Sequence, residues 1–82
     1  MPYFTYILRS KKDQGFYFGQ TQNLDERIRK HNAGKVKSTK ARKPFTLHYK
    51  EEFITRSEAY QREQFFKSLE GRNWLKSNKI ID

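Results

Sequence analysis

Tyr3-Phe4-Thr5-Tyr6-Ile7-Leu8 and Phe16-Tyr17-Phe18-Gly19-Gln20-Thr21 decide the fold. Both runs are rich in aromatic and β-branched side chains, which fit a pleated, half-buried surface. The connection between them, Ser10 to Gly15, is polar and ends in glycine, so the pair reads as a β-hairpin with a longer loop. Asn23 before Leu24-Asp25-Glu26 then supplies a helix start: a capping side chain, acids in the first turn, and Glu26 placed to reach back to the cap. These signals predict strands over residues 3–9 and 15–21 and a helix over 24–33, with Gly34 as its left-handed terminator.

Working outward, residues 35–44 show no sustained helical period and read as a long exposed connection. Phe45, Leu47, Tyr49 and Phe53 then alternate with Thr46, His48 and Lys50, which predicts a third strand over 45–53 with one buried face. Thr55-Arg56-Ser57-Glu58 is a capping box that opens a helix over 56–70, ended by Gly71. A short closing helix over 72–80 anchors itself through Trp74 and Leu75. The expected architecture is α/β in the α+β sense, a central three-stranded antiparallel sheet flanked by helices in the order β-β-α-β-α-α. A chain of 82 residues is expected to be one domain with one small core, burying only about 60–65% of its unfolded surface.

Composition narrows the function. There is no cysteine, which excludes a disulfide scaffold and thiolate metal sites, and there is no apolar run of transmembrane or signal-peptide form. A soluble, cytoplasmic protein is the expectation. Mean hydropathy is -1.11, yet 16% of residues are aromatic, which is enough to build a core. The formal net charge is +9. Arg27, Arg29, Lys30, Lys35, Lys37, Lys40, Arg42, Lys43 and Lys50 are nine cations with no acid among them, while the other nine cations and all nine acids lie outside that stretch. The excess therefore belongs to residues 27–50, and a field so concentrated points to a polyanion. Lys35, Lys37, Lys40, Arg42 and Lys43, with the hydroxyls of Ser38 and Thr39, suit phosphate contacts. A membrane surface fits less well, because this segment has no apolar face.

A few polar residues fall on inward stripes. At about 100° per residue Leu24, Ile28 and His31 share one helix face and Arg27 flanks it, so Arg27 either snorkels, pairs with an acid, or has a task. Glu63 lies inside the apolar stripe centred on Ala59 and Phe66. It needs a cation, either an arginine such as Arg62 or Arg27, or a divalent metal held by one carboxylate with waters and a substrate phosphate. His48 falls on a polar strand face and reads as a surface histidine. Strand tyrosines are ordinarily half-buried sheet residues, but Tyr6 and Tyr17 would gain a proton-transfer role if the hairpin brings them to Arg27. Gly19 marks a bend, or lets a phosphate approach the backbone.

The ordered set Tyr6, Tyr17-Phe18-Gly19, Asn23-Leu24, Arg27, His31-Asn32, Thr39-Lys40, Arg56-Ser57-Glu58-Ala59, Arg62-Glu63 and Gly71-Arg72 resembles the GIY-YIG nuclease superfamily over nearly the whole chain. It looks most like the family's small stand-alone members of uncharacterised function. The tyrosine of the first signature tripeptide, the tyrosine and glycine of the second, and their spacing are kept, while the leading Gly-Ile is replaced by Phe4-Thr5. Gln20 stands where some members carry a lysine. The resemblance implies a metal-dependent endonuclease that hydrolyses phosphodiester bonds in nucleic acid, with DNA the expected partner and Mg²⁺ or Mn²⁺ the cofactor. It implies catalytic roles for Tyr6, Tyr17, Arg27, His31 and Glu63, with Glu63 as metal ligand, and it leaves Asn73 or Asn78 as a further site residue. A chain this short cuts one strand, or needs a second copy or a partner protein to reach the other. Two alternatives stay open: a non-catalytic nucleic-acid-binding module that keeps the fold and the basic loop, and a domain that binds an acidic protein.

Overall fold

In the computed structural model, which describes residues 2–82, β1 (Tyr3–Ser10) lies between β2 (Phe16–Thr21) and β3 (Phe45–Phe53), both antiparallel to it. The centre falls to β1 because its residues are apolar or self-satisfying on both faces. Thr5, Tyr6, Ile7 and Leu8 are all buried, and Thr5 avoids an orphaned hydroxyl by donating to the Ala59 carbonyl at 2.7 Å. The helices are α1 (Leu24–Asn32), α2 (Arg56–Lys67) and α3 (Leu69–Ser77), with a short 3₁₀ turn at Lys40–Arg42. One layer of the core joins Tyr6 and Leu8 to Leu24 and Phe45, beneath α1. The other joins Ile7 and Phe18 to Phe66 of α2 and Leu75 of α3.

Asn23 caps α1 by accepting from the Glu26 amide, and Gly34 takes the left-handed conformation at φ 74°. The capping box at Thr55 and Glu58 is complete. Asn32 holds the start of β3, accepting from the Phe45 amide and donating to its carbonyl.

Three expectations are corrected. The strand 45–53 does not have one buried face: Leu8 pairs with Leu47 but Ile7 pairs with Tyr49, so His48 is an extra residue in a bulge. The bulge sends Phe45 to the α1 layer and Tyr49 to the layer under α2, while Leu47 stays 39% exposed. The second break between helices falls at Ser68, not Gly71. Ser68 ends α2 and caps α3, its hydroxyl accepting from the Gly71 amide at 3.0 Å. Gly71 instead lies buried inside α3, where a Cβ would collide with the Phe65 carbonyl and sit 3.0 Å from Phe66 Cα. The connection after Gly34 is not a free loop, since Thr39 is fully buried and the 3₁₀ turn follows it.

Candidate active site

Tyr6 pairs directly with Gly19 across β1 and β2. A Cβ at Gly19 would lie 2.5 Å from Tyr6 Cζ and 3.0 Å from Cε1, so only glycine leaves room for the phenol to lie across β2. This is a tighter reason for the glycine than a bend.

The phenol ends at a directed chain of hydrogen bonds. Arg27 Nε donates to Tyr6 Oη at 3.4 Å, His31 Nε2 is 3.2 Å from the same oxygen, and His31 Nδ1 is 2.8 Å from Thr39 Oγ1. Thr39 donates its own hydrogen to the Val36 carbonyl at 3.3 Å. Its oxygen must then accept from His31 Nδ1–H, which assigns the tautomer by donor balance and leaves Nε2 to accept from the Tyr6 hydroxyl. Burial, and then the Arg27 charge, press the His31 pKa from 6.5 to about 4, so the imidazole is neutral at physiological pH. Burial pushes the Tyr6 phenol up to about 12, Arg27 draws it part of the way back, and the Glu63 carboxylate adds to the rise. Tyr17 packs its ring 4.9 Å from the His31 ring and 6.4 Å from that of Tyr6. Tyr6, Tyr17, Arg27 and His31 are thus brought together in one cluster.

Arg27 finds no acid. Among the described residues no carboxylate lies within 4.0 Å of it; its bond to the Tyr6 oxygen raises its pKa further, against its partial burial. It lines a cleft of about 430 Å³ at the junction of β2 and α1, together with Gln20, Asn23, Glu26, Lys30 and Arg56. Gln20 carries the orphan of the region, a buried Oε1 with no hydrogen-bond partner among the described residues.

Glu63 comes from α2, which packs on the opposite face of the sheet from α1, yet its carboxylate is close enough to raise the Tyr6 pKa; it is 9% exposed. Its Oε2 accepts from Lys67 at 2.7 Å, one helical turn on. The arginine partner is therefore corrected: Arg62 pairs with Glu51 at 2.7 Å, its guanidinium 4.4 Å over the Trp74 ring. Among the described residues no three His, Cys, Asp or Glu side chains gather to form a metal cage. A lone, sheltered carboxylate of hard oxygen is a donor set that suits Mg²⁺ or Mn²⁺, ions that keep several waters and share a substrate phosphate.

Of the five basic residues after α1, Lys35, Lys37, Lys40 and Lys43 are exposed. Arg42 is engaged, bonding Asp13 at 2.8 Å and stacking over Phe45, and it holds the Asp13 carboxyl down at about 2. Thr39, expected to face phosphate, faces His31 instead. Asn78 caps α3 and donates to the Trp74 carbonyl, and Asn73 is exposed. His48 is exposed, as expected, and contacts the Ile80 carbonyl. Sequence reasoning missed Thr39 as the anchor of His31 and Arg56 as a neighbour of Arg27. The first requires a contact across eight residues through a loop without periodicity, the second a junction between two helix starts.

Residues 2–78 match the GIY-YIG catalytic domain. A UPF0213 protein of Bacillus licheniformis is 44% identical over 72 residues, 87% of this chain and 73% of that one. One from Staphylococcus haemolyticus is 43% identical over 75 residues, 90% of each. The solution NMR structure of a UPF0213 protein from Bacillus halodurans superposes with a TM-score of 0.57 at 38% identity, covering 96% of this chain and 86% of that one. The two tyrosines, the arginine, the histidine and the sheltered glutamate thus stand in a matched domain, and the chain belongs to the GIY-YIG family, alongside its small UPF0213 proteins.

Proposed function

We propose that this protein is a metal-dependent endonuclease that hydrolyses phosphodiester bonds in nucleic acid, with DNA as substrate, acting in the cytoplasm. The observation that carries the reading is the chain from Arg27, which has no acid partner among the described residues, through Tyr6 to a neutral His31. Tyr6 takes a proton from the attacking water as its own passes to His31 Nε2, so no free phenolate need form. Arg27 donates to the phosphoryl oxygens as charge gathers there. A phosphate on Arg27 also offsets the cation that helps hold His31 acidic, so substrate binding makes the imidazole a better proton acceptor. Tyr17 packs the imidazole in place. Glu63 would hold the divalent ion, which would neutralise charge on the leaving oxygen. The exposed lysines after α1 supply affinity without sequence information. One copy acts on one strand, so cutting both requires a second copy or a partner.

The test is supercoiled plasmid incubated with folded protein and Mg²⁺, Mn²⁺ or EDTA; conversion to the nicked form in the metal lanes alone is the expected result. One observation favours a second reading, a binding module: Lys67 already satisfies one Glu63 oxygen. Glu63→Ala separates the two. The enzyme loses cleavage by orders of magnitude and keeps or tightens its hold on DNA, whereas a module that never cuts changes only in stability.

A further inference from the structure

We propose that the cleft shared by Arg27 and Arg56 is a second phosphate site, holding the phosphate next to the scissile one on the same strand, with Arg56 as its principal cation. This rests on the nuclease reading of the neighbouring cluster.

Arg27 sits in the first turn of α1 and Arg56 opens α2, yet both line the one cleft of about 430 Å³. Of the three cations that line the cleft, Lys30 has a carboxylate within 4.0 Å, but among the described residues Arg27 and Arg56 have none. Glu26, the acid of the cleft, is occupied by Lys30 at 3.2 Å. What faces a ligand is therefore two guanidinium forks, suited in geometry to phosphate oxygens. Arg56 is also preoriented: its guanidinium carbon lies 5.1 Å over the Tyr3 ring, so less side-chain freedom is lost on binding.

Position decides which phosphate it takes. Arg27 touches Tyr6, so the cleft adjoins the reacting centre, and the lysine-rich loop leaves the far end of α1. Nine residues of α1 span about 13 Å, a few nucleotide steps of one strand. A strand that begins on Lys35–Lys43 and passes Tyr6 arrives at Arg56.

Calorimetric titration with deoxythymidine 3′,5′-bisphosphate and with each thymidine monophosphate tests the site without cleavage. Wild type should bind the bisphosphate at least tenfold more tightly than either monophosphate. Arg56→Gln should lose that advantage while melting like wild type, and Arg56→Lys should keep part of it. Equal affinity for the three ligands in wild type, or an advantage that survives Arg56→Gln, overturns the proposal. A protein that never cuts DNA but shows the Arg56-dependent advantage keeps this site and loses the nuclease reading. A protein that cuts without the advantage does the reverse.

Discussion

Replacing Gly19 by alanine should cost far more than a methyl group on an edge strand normally does. The added Cβ would stand 2.5 Å from Tyr6 Cζ and 3.0 Å from Cε1, well inside van der Waals contact. The ring has nowhere to go, because Tyr6 is 1% exposed and packed among Leu8, Leu24 and Phe45. Overpacking of this kind costs about 1–3 kcal/mol, and loss of the bonds to His31 and Arg27 adds about 1 kcal/mol. A total near 2–4 kcal/mol lowers the melting temperature by roughly 10–30 °C in a domain of this size. Metal-dependent nicking should disappear at temperatures where the variant is still folded, since the phenol is driven off His31. Circular dichroism melts and plasmid nicking read the two effects. With Tyr6→Phe in the background the hydroxyl is gone, so Gly19→Ala should cost less, by about 1 kcal/mol in a double-mutant cycle. A Gly19→Ala protein that melts within a few degrees of wild type and still cuts would refute this placement of the ring.

Gly71→Ala should destabilise by about 3 kcal/mol or more in chemical denaturation, because α3 must move away from the Phe65 carbonyl; a change under about 1 kcal/mol would contradict the packing. Stability should also fall as pH drops from 6.5 to 4: the unfolded histidine takes a proton below 6.5, while folded His31, depressed to about 4, does not. The loss is of order 3 kcal/mol and should shrink in His31→Gln; urea titrations across that range with no difference between the two proteins would reject it. Neutralising Lys35, Lys37, Lys40 and Lys43 together should flatten the salt dependence of DNA binding by about 3 in log–log slope, whereas Arg42→Gln should act mainly on the melting temperature, through its lost contact with Asp13.

What was legible in the chain was what local chemistry decides. The aromatic and β-branched runs with their polar, Gly-ended connection gave the hairpin, and the Asn23 cap, the Thr55 capping box and Gly34 placed the starts of α1 and α2 and the end of α1. Helical period put Arg27, His31 and Glu63 on inward faces, and all three are wholly or partly buried. What the period could not give is the partner. The bulge at His48 depends on how β3 meets β1, so the strand read alone shows one apolar face. Gly71 is chosen by a carbonyl of another helix and not by its own turn. Thr39 sits in a basic loop where its neighbours suggest phosphate, but its hydroxyl is drawn inward by an imidazole. Lys67 was within reach of local reasoning, as an i,i+4 partner of Glu63, and it displaced the longer-range arginine pairing. Arg56 joins Arg27 only because two helices begin at the same end of the sheet.

The most direct measurement of the central claim is the single-turnover rate of nucleic-acid cleavage by Tyr6→Phe and wild type, at saturating protein with Mg²⁺ or Mn²⁺. Tyr6→Phe keeps the ring in its layer and removes the oxygen that joins Arg27 to His31. Wild type should cut in a metal-dependent manner, and the variant should cut about 10²-fold or more slowly with little change in DNA affinity. A Tyr6→Phe protein that cuts at the wild-type rate, or folded wild type that leaves DNA and RNA intact with either metal, would contradict it.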